Sequence, residues 1–148
     1  QAVEEFRGQG YLVHELPMEE AGLKDPVLST FAPTQEVFQW HEEGIALPRD
    51  VDVLASSAAS AVQAFRHGEH VYGLQFHLEV NRPLIERWLT VPAHRETLEE
   101  ERGRVDPDAI RRQTDTSIGP LEKLSRETFV RWIDRFEIGP RRQRLPSR

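Results

Sequence analysis

Val71-Tyr-Gly-Leu-Gln-Phe-His-Leu-Glu-Val80 is the stretch on which the reading of this chain turns. From Val71 to Phe76 it is β-branched, aromatic and aliphatic with no helical period, so it reads as a buried strand. The strand runs straight into a histidine and a carboxylate, His77 and Glu79. Side chains at i and i+2 project to the same side of an extended backbone. A carboxylate held beside an imidazole fixes its tautomer and raises its basicity, as the orienting group does in a nucleophile–base–orienter set. The third member of such a set is a nucleophile, and the chain contains no cysteine.

Gln75-Phe-His-Leu-Glu79 resembles the QFHPE signature of class I glutamine amidotransferases, and as in that family it follows a strand ending Tyr-Gly-Leu. Other pieces agree in order and spacing. Val37-Phe-Gln-Trp-His41, followed by Leu47-Pro48, resembles the segment of the type FQWHGDTFDLP. Val53-Leu-Ala-Ser-Ser57 with Val62-Gln-Ala-Phe65 resembles the LASS…NQAF hairpin. The likeness is to the stand-alone, GMP-synthetase-like branch and covers about the first ninety residues in continuous register.

The resemblance implies an α/β fold: the flavodoxin-like, three-layer amidotransferase fold, represented here by its C-terminal half. On that reading the chain holds part of a mostly parallel sheet, a β-hairpin addition and C-terminal helices. The family hydrolyses the side-chain amide of glutamine through a cysteine thioester and passes the ammonia to an acceptor. The resemblance makes His77 the general base and Glu79 its orienter. It places Gln39, Trp40 and His41 where the glutamine-binding segment passes. Taken alone, His41 reads equally as a substrate contact or a structural histidine, Gln39 as a backbone-positioning residue and Trp40 as packing. The family's nucleophile sits on a glycine-flanked turn in the half that precedes Gln1. Gln1 is not an initiator methionine and the only methionine is Met18, so the first residue reads as a point of truncation. The implied ligand is glutamine or a γ-glutamyl compound, the implied partner is a synthetase subunit that accepts ammonia, and no cofactor is implied.

Two departures stand out. Leu78 occupies the place of the signature proline, which would fix φ and stiffen the spacing of its neighbours. Glu43 stands where the family often has aspartate, keeping the charge with one more methylene.

With 148 residues, 38% of them hydrophobic and 30% charged, the chain can bury a core within one moderate-sized domain. Its apolar runs are too short for a membrane span and no signal segment opens it, so the expectation is a cytoplasmic protein without membrane contact. The absence of cysteine excludes disulfides and thiolate metal sites. A net charge of −6 opposes general nucleic-acid binding. The remaining histidines, His14, His67, His70 and His94, have no metal-ligand spacing, so no metal site is expected. Ser56, Ser57 and Ser60 lie outside any G-x-S-x-G turn.

The pattern places strands at 11–16, 36–40, 52–57, 61–66 and 70–76, with a loop containing one turn over 18–28. Residues 1–8 read as the end of a helix. Asn81 and Pro83 open a helix whose apolar face is Leu84, Ile85, Trp88 and Leu89. Further helices are expected over 94–104, from Asp106-Pro107 to about Thr116, and from a Ser125 cap to Phe136. The domain organisation expected is an amidotransferase-like half over 1–92, a helical extension over 93–138, and a basic, disordered tail over 139–148. Two functions follow. One is a glutamine amidohydrolase or amidotransferase, active through a Cys-His-Glu triad once the other half is present. The other is a catalytically inactive binding or regulatory module.

Overall fold

The computed structural model describes residues 13–41, 44–58, 60–92 and 106–136. The helices expected over 1–8 and 94–104, the position of Glu43 and the basic tail lie outside the described residues.

Strand β1 (Val13–Pro17) pairs antiparallel with β2 (Thr34–Phe38), Val13 opposite Phe38 and Pro17 opposite Thr34. Between them lie a single helical turn, α1 (Glu20–Leu23), and a 3-10 turn at Ser29–Phe31, with a cis Ala32–Pro33 bond leading into β2. A second sheet has the order β3 (Asp52–Ala55), β4 (Ala64–His67), β5 (Val71–Leu74), again antiparallel throughout. Gly68, at φ 61°, closes the β4–β5 turn in a conformation that other residues adopt at a cost. Isolated bridges join the sheets, Met18 with Ala55 and Phe38 with His77. α1 rests directly on β3, where a Cβ on Gly22 would collide with the Leu54 carbonyl oxygen.

The α/β class holds, but the strand direction differs from the mostly parallel sheet expected. Every described ladder is antiparallel, because the connections are tight turns or short compact segments. A parallel pair would need a full crossover helix between its strands.

Strand limits differ for local reasons. β2 begins and ends earlier than 36–40 because Gln39 and Trp40 leave the ladder for the site described below. β4 begins only at Ala64, after a register shift between Val53 and Ala55. β5 stops at Leu74, since the chain beyond it crosses to the other sheet through the His77–Phe38 bridge.

Helix α2 (Arg82–Thr90) starts as its sequence dictates: Asn81 accepts a bond from the Leu84 N–H at 2.9 Å, with Pro83 in the first turn. Further on, the sequence pattern predicts two helices with a break between them; the structure has one, α3 (Pro107–Asp134), 28 residues long. Ser125 is therefore interior rather than a cap. Pro120 removes one helical hydrogen bond, at a typical cost of about 3 kcal/mol. Burial of Ile110, Leu121 and Leu124 on one continuous stripe outweighs it, at roughly 1.5–3 kcal/mol per large apolar side chain. Buried Thr114 and Thr128 on that stripe satisfy their hydroxyls on the carbonyls of Ile110 and Leu124, each at 2.8 Å.

α3 packs across the core built by Leu16, Phe31, Val37, Phe38, Leu54 and Phe76. Arg111 clamps it to α2 by a fork on Glu86, at 2.8 and 2.7 Å, and Arg82 pairs with Asp115. At its far end the Trp132 indole N–H donates to the His70 carbonyl at 2.9 Å. A buried carboxylate ties the hairpins together. Asp25 accepts from the N–H groups of Val27 and Leu28 on one oxygen, and from Arg66 at 2.9 Å and the Tyr72 hydroxyl at 3.2 Å on the other. Burial, followed by the charge of Asp25, raises the Tyr72 pKa above its ordinary value of 10.0.

Candidate active site

The chain ends that leave β2 and β5 lie side by side. The His77 N–H donates to the Phe38 carbonyl at 2.8 Å, which fixes the backbone of the histidine. Beyond β5 the residues alternate: Phe76, Leu78 and Val80 are buried, while His77 is half-buried and Glu79 exposed. This period of two puts His77 and Glu79 on one side, as the i, i+2 spacing requires. Leu78 is only 2% exposed, so packing anchors the residue that stands in the place of the signature proline.

His77 Nδ1 is 2.6 Å from Glu79 Oε1, the distance of a charge-assisted hydrogen bond. A carboxylate only accepts, so Nδ1 carries the proton and Nε2 is the basic atom of the neutral ring. Nε2 lies 3.4 Å from the Trp40 carbonyl oxygen. Once Nε2 takes a proton, each ring nitrogen has an acceptor beside it. Chemically this is an oriented base whose conjugate acid is already accommodated.

An aromatic wall encloses the imidazole. The Trp88 ring meets His77 edge-on with centroids 5.0 Å apart, and packs against Trp40 at 5.5 Å. Phe38 stacks on Trp40 at 6.2 Å and approaches His77 at 6.4 Å. Trp88 reaches this position because α2 starts immediately after the Glu79–Val80 exit. The helical apolar face read it as core; it is partly buried on the core and also meets the His77 ring.

The residues expected to bind substrate divide between two sides. Trp40 faces His77 with its carbonyl and its ring neighbours. Gln39 and His41 turn the other way. His41 Nε2 lies 2.8 Å from Gln39 Oε1, and Gln39 Nε2 donates to Gln63 Oε1 at 3.1 Å. Gln63 in turn donates to the Ser57 hydroxyl at 3.1 Å. In sequence, Gln63 and Ser57 read as members of a structural hairpin; the only signal of their role is the pair of matching hairpin segments in which they sit.

The other described histidines lie apart from the site: His67 is 3.9 Å from Asp50, and His70 Nε2 is 3.0 Å from the Arg135 carbonyl. Among the described residues, no group of three or more His, Asp or Glu side chains could hold a metal ion. No described helix is long and apolar enough to cross a membrane.

No family model matches the chain. A glutamine amidotransferase-like protein of Salmonella typhimurium, YfeJ, is 32% identical over 73 residues, which cover 49% of this chain and 30% of that protein. The glutamine-hydrolysing GMP synthase of Methanobrevibacter smithii contains a subunit that is 40% identical over 57 residues, 37% of this chain and 30% of that protein. The match thus spans under a third of each curated relative. Among solved structures, a glutamine amidotransferase from Thermotoga maritima superposes with a TM-score of 0.72 at 24% identity, covering 86% of this chain and 52% of that one. A glutamine amidotransferase from Methylobacillus flagellatus gives 0.70 at 20% identity, covering 86% and 53%. In fold, and in sequence over the matched stretches, the chain is glutamine amidotransferase-like.

Proposed function

We propose that the complete protein hydrolyses the side-chain amide of glutamine, or of a related γ-glutamyl compound, with His77 as general base and Glu79 as its orienter. The observation that carries this reading is the 2.6 Å bond from His77 Nδ1 to Glu79, which leaves Nε2 as the basic atom beside the Trp40 carbonyl. The nucleophile is a cysteine thiol supplied by residues outside this chain. His77 Nε2 takes the thiol proton, and the thiolate attacks the amide carbon. The same proton then passes to the departing nitrogen, releasing ammonia and leaving a γ-glutamyl thioester. A water, deprotonated by His77, cleaves the thioester to glutamate and returns the thiol. Throughout, Glu79 keeps the ring in the tautomer that exposes Nε2.

Trp40, Gln39 and His41 form the substrate-binding segment of this reading, Trp40 on the His77 side and Gln39 with His41 on the opposite side. By analogy with the matched component of GMP synthase, the ammonia goes to an acceptor on a separate synthetase subunit. The test is ammonia release from glutamine by the full-length protein, with and without prior alkylation of its thiols. Release that alkylation abolishes supports the reading. Release that survives alkylation removes the cysteine mechanism.

The absence of cysteine from this chain also favours a second reading, a module that binds a γ-glutamyl ligand without turning it over. Saturable glutamine binding by the full-length protein with no ammonia release would select it.

A further inference from the structure

Glu79 fixes one atom of the His77 ring, Nδ1, and with it the tautomer. It holds the plane of the ring only loosely, because the carboxylate is exposed and the bond is made at a single atom. Nε2 lies 3.4 Å from the Trp40 carbonyl oxygen, beyond the usual range of an N–H···O bond. The Phe38 carbonyl holds the His77 N–H at 2.8 Å, which sets the backbone and leaves the side-chain torsions open.

Trp88 supplies a firmer hold. Its ring centroid is 5.0 Å from that of His77 with the planes at 69°, against 6.4 Å for Phe38. Aromatic rings at that separation and inclination are in contact, so the imidazole cannot swing toward the indole. The indole is itself anchored. Asn81 caps α2 two residues beyond Glu79, and Ile85 and Leu89, on either side of Trp88 in the helix, are buried at 2% and 5% exposure. The same indole packs on Trp40 at 5.5 Å and on Phe38 at 6.1 Å. One side chain of α2 therefore touches both the candidate base and the residue whose carbonyl faces Nε2.

We infer that Trp88 is a positioning residue for the candidate base: its ring sets the plane of the His77 imidazole, while Glu79 sets the tautomer. A general base acts only when its nitrogen is aligned with the proton it takes, and a misplacement of about 1 Å costs up to about 10²-fold. The effect on rate rests on the amide-hydrolase reading; the hold on the ring does not.

The experiment compares the full-length wild type with Trp88→Phe and Trp88→Leu. Carbon-13 relaxation at the ring Cε1 of labelled histidine reports ring motion, with the His77 signal assigned by its loss in His77→Gln. In the wild type the ring is as rigid as the backbone. Trp88→Phe keeps an aromatic ring beside it and keeps it rigid. Trp88→Leu leaves the helix face apolar but lets the imidazole move on the picosecond–nanosecond timescale. In turnover of glutamine, Trp88→Leu lowers kcat by about 10–10²-fold with KM within roughly twofold, and Trp88→Phe restores most of the loss. A mobile His77 ring in the wild type overturns the inference by itself, whether or not Trp88→Leu folds. A ring that stays rigid in folded Trp88→Leu overturns it too, as does a loss that falls on KM alone. If Trp88→Leu does not fold, Trp88→Met is read in the same way. The expected ring motions without ammonia release from any of the proteins support the positioning while removing the hydrolase reading.

Discussion

Glu79 grips the Nδ1 atom of His77 at 2.6 Å across a buried Leu78, which turns the Nε2 atom of the ring toward the Trp40 carbonyl. The bond selects the ring tautomer, so its loss acts on chemistry before it acts on folding. Glu79 is exposed, and Glu79→Gln leaves the core untouched. In the full-length protein this variant lowers kcat for glutamine by about 10²–10⁴-fold, with thermal stability nearly unchanged. Steady-state ammonia release, read alongside a melting curve, checks both halves of the expectation.

Leu78 fixes the spacing of its neighbours through its place in the core. Leu78→Ala removes that anchor at a cost of about 2–5 kcal/mol, the range for truncating a buried leucine. Denaturant unfolding measures it. Activity falls as well, because the His77–Glu79 alignment loosens.

Asp25 is a buried carboxylate with hydrogen-bond partners on both oxygens, the Arg66 guanidinium among them. Asp25→Ala leaves the Val27 and Leu28 N–H groups and the Tyr72 hydroxyl without this acceptor, while Arg66 keeps Asp52 at 2.7 Å, and destabilises the fold by about 1–3 kcal/mol. The loss is read as a lower denaturant midpoint, without a change in which residues form the site.

Tyr72 supplies a pH dependence. Its pKa is raised in the folded chain, first by burial and then by the charge of Asp25. The folded state therefore holds the phenol proton more tightly than the unfolded state, whose tyrosine titrates near about 10. That stability is fully present below about pH 10 and falls as the pH rises toward the folded pKa. Tyr72→Phe flattens this alkaline decline, and unfolding curves between neutral and strongly alkaline pH show whether it does.

What can be read from the sequence is the part set by local period. The alternation from Phe76 to Val80 puts His77 and Glu79 on a shared side, and Asn81 with Pro83 marks the start of α2. What cannot be read depends on partners distant in the chain. Gly119-Pro120 locally signals a helix end, and only the stripe running from Ile110 to Thr128 against the core carries the helix through. Trp88 lies on an apolar face, so its second role at the His77 ring has no local signature. Gln63 is polar inside a strand-like run, and its purpose emerges only when Gln39 and Ser57 are brought to it. The direction of strand pairing likewise belongs to the folded connections, which is why a mostly parallel sheet is the expectation where the ladders are antiparallel.

The central claim is that His77 is the base of an amide-hydrolysing site. Ammonia release from glutamine by the full-length protein, wild type against His77→Ala, tests it most directly. The account predicts release by the wild type and a fall of about 10²-fold or more in kcat for the variant, with the fold retained. Equal release from both proteins would contradict it.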